Sequence, residues 1–157
     1  MTLFAPRQLL AILADAAFHP LPALQAHTDM DTSQLAQAID RLRATGLMIE
    51  QHPQHGYRLA TRIEPLSGEH IRAAMQPDST ALLGELSLQL QTDSTNSQLR
   101  RMLNHGAAPG SACLSESQSA GRGRRGRQWI SPAGSSLILS LSWRYHADED
   151  LDRKSVV

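Results

Sequence analysis

Between Gly121 and Arg127 the chain reads Gly-Arg-Gly-Arg-Arg-Gly-Arg, four guanidinium groups and three glycines in seven residues. No buried helix or strand accommodates such a run, because the glycines lose the most entropy on ordering and the arginines resist burial without partners. It has to be a loop, placed by the elements around it. Ala112, Cys113 and Leu114 predict a short strand before it. Leu137, Leu139, Leu141 and Trp143, alternating with Ile138, Ser140, Ser142 and Arg144, predict a strand after it. An arginine-glycine RNA-binding tail would be long and disordered, whereas this run is short, single and set between strands. A cationic loop that orders over a bound nucleotide fits that position better. Its glycines let the backbone approach a ligand, its arginines fork onto phosphate oxygens, and Trp129 is suited to covering an apolar or purine surface.

Composition narrows the classes. The chain has 157 residues, 41% hydrophobic and 19% charged, enough to bury a core in one domain or two small ones. No apolar stretch approaches the roughly 20 residues of a membrane span, and no basic segment, apolar run and cleavage site mark the start, so a cytoplasmic protein with no membrane partner is expected. The single cysteine, Cys113, makes neither an internal disulfide nor a zinc site alone and reads as a small buried strand residue. His19, His27, His52 and His55 read as surface or turn residues, and no metal site is expected. Fifteen basic residues balance fifteen acidic ones, which excludes a global attraction to nucleic acid. Only Lys154 among the basic residues is a lysine, so Arg122, Arg124, Arg125 and Arg127 mark a local need for guanidinium.

The first third of the chain predicts three helices and a hairpin. Leu9, Leu10, Leu13, Ala16 and Ala17 predict a helix over residues 7–17, and a second runs from Pro20 to about Thr28. The third has a capping box, Asp31 with Gln34, then Leu35, Ala38, Ile39 and Leu42 on one face, and ends at Gly46. Leu47, Met48 and Ile49, a polar turn through Gly56, and Tyr57, Arg58 and Leu59 predict the hairpin. Helix-turn-helix plus hairpin is the winged-helix pattern, although a three-helix protein-interaction module has the same outline. If DNA is bound, Thr32, Ser33, Gln34 and Gln37 are placed for base edges, and Arg41, Arg43 and Arg58 suit phosphates. Residues 1–62 hold five arginines and five acids, so counterion release would be small for a monomer and DNA binding would call for a homodimer.

Residues 60–66 read as a linker, and Ser67 caps a helix to about Met75. A turn-rich stretch follows from Gln76 to Thr80, and Ala81–Leu90 reads equally as strand or helix. Thr92, Asp93, Ser94, Thr95 and Asn96 then stand directly before a helical pattern containing Leu99, Met102 and Leu103. Backbone N–H groups at such a start can hold a polar ligand group or an anion, and simple N-capping is the alternative.

Asp93-Ser94-Thr95-Asn96, then the run from Glu116 through Gln118 to Gly121-Arg122-Gly123-Arg124-Arg125-Gly126-Arg127-Gln128-Trp129, then Ser131-Pro132 and the strand over 137–143 closely resemble the bacterial biotin protein ligases. With a winged-helix pattern ahead of them, they resemble the bifunctional subclass that joins biotin ligase and biotin operon repressor in one chain. The resemblance spans roughly residues 7–145 and rests on two separate motifs in correct order. It implies an α+β fold: an N-terminal winged helix-turn-helix over 1–62, then over 63–157 the first part of a class II synthetase-like α/β catalytic domain. It also implies ATP-dependent activation of biotin to biotinyl-5′-AMP with Mg²⁺, and transfer to a lysine of the biotin carboxyl carrier protein of acetyl-CoA carboxylase. By resemblance, Ser94, Thr95, Asn96 and Gln118 belong to the biotin pocket. Arg122, Gly123 and Arg124 belong to a loop closing over biotin and its adenylate. Arg124 and Arg127 contact phosphate and are the catalytic candidates, and Trp129 walls the adenylate site. In the repressor subclass the adenylate promotes dimerisation and hence operator DNA binding.

The family continues with a Lys-Trp-Pro-Asn-Asp motif, further strands and a small β-barrel that are absent from this sequence, and Lys154 sits in no such motif. An incomplete catalytic part with exposed sheet edges is therefore expected. The competing class is a DNA-binding regulator that uses the second part only for dimerisation or ligand sensing. A lipoate ligase relative shares the chemistry, but the arginine-glycine loop follows the biotin pattern.

Overall fold

The computed structural model describes residues 5–123, 125 and 127–144. It is a mixed α+β structure whose N-terminal helices, α1 (Ala5–Leu13), α2 (Leu21–Thr28) and α3 (Thr32–Ala44), are followed by a hairpin of β1 (Ile49–His52) and β2 (Gly56–Leu59). Helix α1 stops four residues before the spacing predicts. The Asp15 side chain captures the Ala17 N–H at 2.9 Å and Ala16 takes a left-handed φ of 61°, so local side-chain chemistry overrides the apolar periodicity. Helix α3 starts on the expected capping box: Asp31 accepts the Gln34 N–H at 2.8 Å and Gln34 Oε1 accepts the Asp31 N–H at 2.9 Å. The apolar faces of the three helices close one core around Leu9, Leu13, Leu24, Leu35 and Leu42, all fully buried, with Ile49 and Leu59 of the hairpin beneath them.

The hairpin pairs Ile49 with Leu59 through His52 with Gly56, and Tyr57 exchanges backbone hydrogen bonds with His19 at 2.9 and 3.0 Å. That close approach requires glycine at 56. Its φ is 87°, and a Cβ there would stand 2.0 Å from the His19 carbonyl oxygen.

Past an irregular segment, Ser67 caps α4 (Gly68–Ala74) and α5 (Pro77–Leu82) follows. The ambiguous stretch 81–90 is divided between two states, ending α5 and beginning β3 (Leu86–Thr92). Strand β3 leads through α6 (Thr95–Asn104) to β4 (Ala112–Gln118), which runs parallel to it, and β7 (Ile138–Leu141) adds antiparallel on the other side of β4. Helix α6 buries Leu99 and Met102 against Cys113 of the central strand. Strand β4 continues four residues past the expected 112–114, so Glu116 and Gln118 stand on a strand and not in the loop. The loop itself is bounded by a two-residue ladder of β5 (Gly121–Arg122) and β6 (Gln128–Trp129).

The last strand is shorter than the alternation over 137–143 predicts. Its inward face carries Ile138 and Ser140, since the register sets Ile138 beside Ser115 and Ser140 beside Cys113. Leu139 and Leu141 point away from α6 and are 50% and 56% exposed. Among the described residues, no helix is long and apolar enough to cross a membrane.

Candidate functional site

The start of α6, the end of β4, the inward face of β7 and the β5–β6 ladder surround a cleft of about 540 Å³. Ser94, Thr95 and Asn96 reach it from the helix start, Gln118 from β4, and Arg122 and Trp129 from the ladder. These six of the expected ligand residues come from two stretches more than twenty positions apart, and the fold brings them to one cavity.

A polar network sets the cleft floor. Gln118 Oε1 accepts the Thr95 N–H at 2.8 Å and the Thr95 hydroxyl at 3.3 Å, and that hydroxyl lies 2.9 Å from Ser140 Oγ. Thr95 is 4% exposed, so its polar atoms need protein partners or a ligand. Ser94 occupies the N-cap position of α6 but its side chain makes no cap hydrogen bond. The first free N–H of the helix is satisfied by Gln118, a residue of another strand, so capping does not account for the hydroxyls gathered here.

The turn before α6 is fixed from outside the cleft. Asp93 receives both terminal nitrogens of Arg101, at 2.6 and 3.0 Å, a fork geometry. The Arg101 contact, aided by the Ser94 N–H, holds the Asp93 carboxyl well below the usual carboxylate range. Thr92 and Asp93 carbonyls accept the N–H groups of Ser119 and Ala120 at 2.9 Å, which stitches one motif to the other. Gly121 is needed for this closeness, because a Cβ there would lie 2.7 Å from the Trp129 carbonyl oxygen and 3.0 Å from the Gln118 amide nitrogen.

Arg122 and Trp129 are exposed, Trp129 by 56%. The Gly123 N–H donates to the Arg127 carbonyl at 2.7 Å, so these two residues close the loop neck and do not line the cleft. Arg125 sits in left-handed conformation with φ 59°. Arg124, assigned to phosphate contact, and Gly126 lie outside the described residues. Sequence reasoning missed several contributors, among them Ser140, which passed as the polar half of an alternating strand, and Arg100, one turn beyond Asn96 on α6. Spacing from Asn96 could have shown the second. The cleft lining holds two guanidinium groups and, among the described residues, no carboxylate.

The residues expected at DNA divide. Thr32, Ser33, Gln34 and Gln37 are exposed on the first half of α3, but Gln34 gives its carbonyl oxygen to the capping box and Thr32 Oγ1 accepts from Gln25. Arg41 is exposed. Arg43 donates to the Ile49 carbonyl at 3.2 Å and lies 3.5 Å from Asp40. Arg58 pairs with Glu50 at 2.7 Å and stacks 4.5 Å over Phe18. Arg43 and Arg58 thus hold the hairpin to the helices, a role their sequence positions do not reveal.

Residues 88–153 match the model of the biotin/lipoate A/B protein ligase family. Over 139 residues, 88% of this chain, the sequence is 35% identical to the bifunctional ligase/repressor BirA of Salmonella typhimurium, and 36% identical to that of Escherichia coli. It is 41% identical over 61 residues, 38% of this chain, to a biotin–[acetyl-CoA-carboxylase] ligase of Mycobacterium tuberculosis. The aligned part covers 41% of each of the first two relatives and 23% of the third, so the chain spans about two-fifths of the bifunctional proteins it matches.

Proposed function

Because residues 88–153 match the biotin/lipoate A/B protein ligase family, we propose that the cleft of this chain binds biotin and forms part of a site for biotinyl-5′-AMP. The observation that carries the reading is the Gln118–Thr95–Ser140 network: alternating donors and acceptors, half-buried around the buried Thr95, beside two guanidinium groups. Such a floor suits a neutral polar head like the ureido ring, and the cationic side suits a carboxylate and phosphate.

The reaction proposed for the whole protein has two steps. A biotin carboxylate oxygen attacks the α-phosphorus of ATP, the bond to the β-phosphate breaks, and pyrophosphate leaves. A lysine amine of biotin carboxyl carrier protein of acetyl-CoA carboxylase then attacks the acyl carbon of the mixed anhydride, AMP leaves with the bonding electrons, and the amine loses a proton. Attack of one anion on another is slow unless positive charge is fixed nearby; Arg122, which lines the cleft, and Arg124 are assigned that work, and Arg127, which closes the loop neck, is assigned to the phosphate only once the loop has moved over it. Gly123 gives their loop its reach. Trp129 is assigned to the wall against the adenylate, where a closed loop keeps water from the anhydride. Magnesium, arriving with the nucleotide, would supply charge neutralisation at its phosphates.

For the first part of the chain, residues 1–62, the proposal is a winged-helix unit that binds operator DNA as a homodimer. Thr32, Ser33 and Gln37 of α3 would face base edges and Arg41 a phosphate. The capping box, α3 and the adjoining hairpin support it. Residues 63–157 are the ligase part.

The test is calorimetric titration of the purified chain with synthetic biotinyl-5′-AMP and, separately, its lipoyl counterpart. Saturable binding of the biotinyl compound, at least tenfold tighter than the lipoyl one, is the expected result. Equal binding of the two would withdraw the biotin assignment, and no binding of either would withdraw the site.

A further inference from the structure

The N-terminal helical unit and the sheet meet at two anchored places. In the first, the Arg7 guanidinium of α1 donates to the Leu66 carbonyl and to the Leu88 carbonyl of β3, each at 2.8 Å. The Glu116 carboxylate of β4, only 5% exposed, accepts the Leu66 N–H at 2.6 Å. Both backbone polar groups of one linker residue are therefore held by charged side chains, one from the helical unit and one from the central strand.

In the second, the connection from β6 to β7 sits on the helical unit. The Ala133 N–H donates to the Thr45 carbonyl at the end of α3, at 3.0 Å, and Ala133 is buried in the core of that unit. The fit is tight on either side: a Cβ at Gly46 would be 3.0 Å from Pro132, and one at Gly134 would be 2.9 Å from Ile63. Ser131 Oγ is buried there with no hydrogen-bond partner among the described residues, so the position of this connection is imposed by its anchors and not by its own polar groups.

Each anchor adjoins one side of the cleft. Glu116 is two residues from Gln118 along β4. Ala133 lies between Trp129 and Ser136, both of which line the cleft.

We propose that Arg7 and Glu116 are positioning residues that clamp Leu66, and that this clamp and the Ala133–Thr45 bond tie the ligand cleft to α3, so that filling the cleft stiffens the N-terminal unit. The coupling rests on the reading of the cleft as a biotin site; the clamp does not. An occupant that orders Gln118 and Trp129 removes freedom from segments that share one frame with α1 and α3, and local opening of those helices becomes rarer.

Amide hydrogen exchange of the full chain, read residue by residue by NMR with and without millimolar biotin, tests both parts. Without biotin, Glu116→Met is expected to speed exchange at Leu66 by about tenfold or more, the scale of a lost hydrogen bond to a charged group. Glu116→Gln, whose amide oxygen accepts the same N–H, stays near wild type. Arg7→Met, a second route to the same break, speeds exchange at Leu66 and along α1. With biotin, the Leu66, Ala133 and α3 amides of the wild type slow several-fold, and in Arg7→Met biotin still slows the Thr95 amide but no longer those of α1. Equal Leu66 exchange in wild type, Glu116→Met and Arg7→Met overturns the clamp. Biotin slowing Thr95 alone in the wild type overturns the coupling. Biotin slowing no amide overturns the reading of the cleft and the coupling with it, and the variants then decide the clamp.

Discussion

Gln118 Oε1 accepts the backbone N–H of Thr95 at 2.8 Å, across 23 positions of chain, and so satisfies the first turn of α6 from the end of the neighbouring strand. The bond joins the two sequence motifs at one point and leaves the Gln118 amide nitrogen close to Gly121, where the arginine-rich ladder begins. Replacing Gln118 by alanine removes an acceptor from a buried N–H and a polar group from the cleft floor. Biotin affinity is expected to fall by about ten- to a hundredfold, the value of one or two hydrogen bonds, and stability by about 1–3 kcal/mol for the buried N–H left without its acceptor. Calorimetric titration beside a melting curve separates the two effects.

In the proposed site, the arginines of the loop are assigned to charge and not to folding. Arg122 is exposed and among the described residues makes no ion pair, so Arg122→Ala and Arg124→Ala are expected to melt within a few degrees of wild type. Both weaken binding of biotinyl-5′-AMP much more than binding of biotin, because only the adenylate carries the phosphate. A loss equal for the two ligands would move these residues away from the phosphate.

Gly121 has no room for a side chain. In Gly121→Val the new Cβ meets the Trp129 carbonyl oxygen at 2.7 Å, which is backbone and cannot turn aside. Opening of the β5–β6 ladder is expected, read as loss of the Trp129 fluorescence change on ligand addition, with the helical unit still folded. Gly56→Val fails differently: with a Cβ 2.0 Å from the His19 carbonyl oxygen and φ at 87°, it breaks the join between hairpin and helices and destabilises by about 3 kcal/mol or more.

How much of this was legible beforehand depends on the distance between partners. The Asp31–Gln34 box could be read because both residues lie within one turn, and the Ser94–Asn96 and Gly121–Arg127 motifs because each is contiguous. The end of α1 could not, since Ala16 and Ala17 continue the apolar spacing and only the folded Asp15 contact shows why the helix stops. Ser140 looked like the solvent half of an alternating strand until the register beside Cys113 turned it toward α6. Arg43 and Arg58 read as suited to phosphates, and their packing contacts were not legible because Ile49, Glu50 and Phe18 reach them only through the hairpin fold. Glu116 stood inside a recognised motif, yet its partner Leu66 lies 50 positions away and offers only a backbone N–H.

Glu116 also gives the molecule a pH signature. Burial pushes its carboxyl above the ordinary glutamate value, against the opposing pull of the Leu66 N–H and Arg7. The folded state therefore binds the proton more readily than the unfolded chain, and stability falls as pH rises from the unfolded value of about 4.5 through the raised folded one. Glu116→Gln, neutral at every pH, is expected to gain melting temperature over wild type at pH 7 and to lose that advantage near pH 4. A difference independent of pH would assign the effect to packing.

The most direct measurement is an amide chemical-shift map of the ¹⁵N-labelled chain titrated with biotin. The expected result is saturable shifts centred on Ser94, Thr95, Asn96, Gln118 and Ser140, with the midpoint moved about ten- to a hundredfold higher in biotin in Gln118→Ala. Saturable shifts centred elsewhere, or no shifts at millimolar biotin with the chain folded, would contradict the assignment of this cleft to biotin.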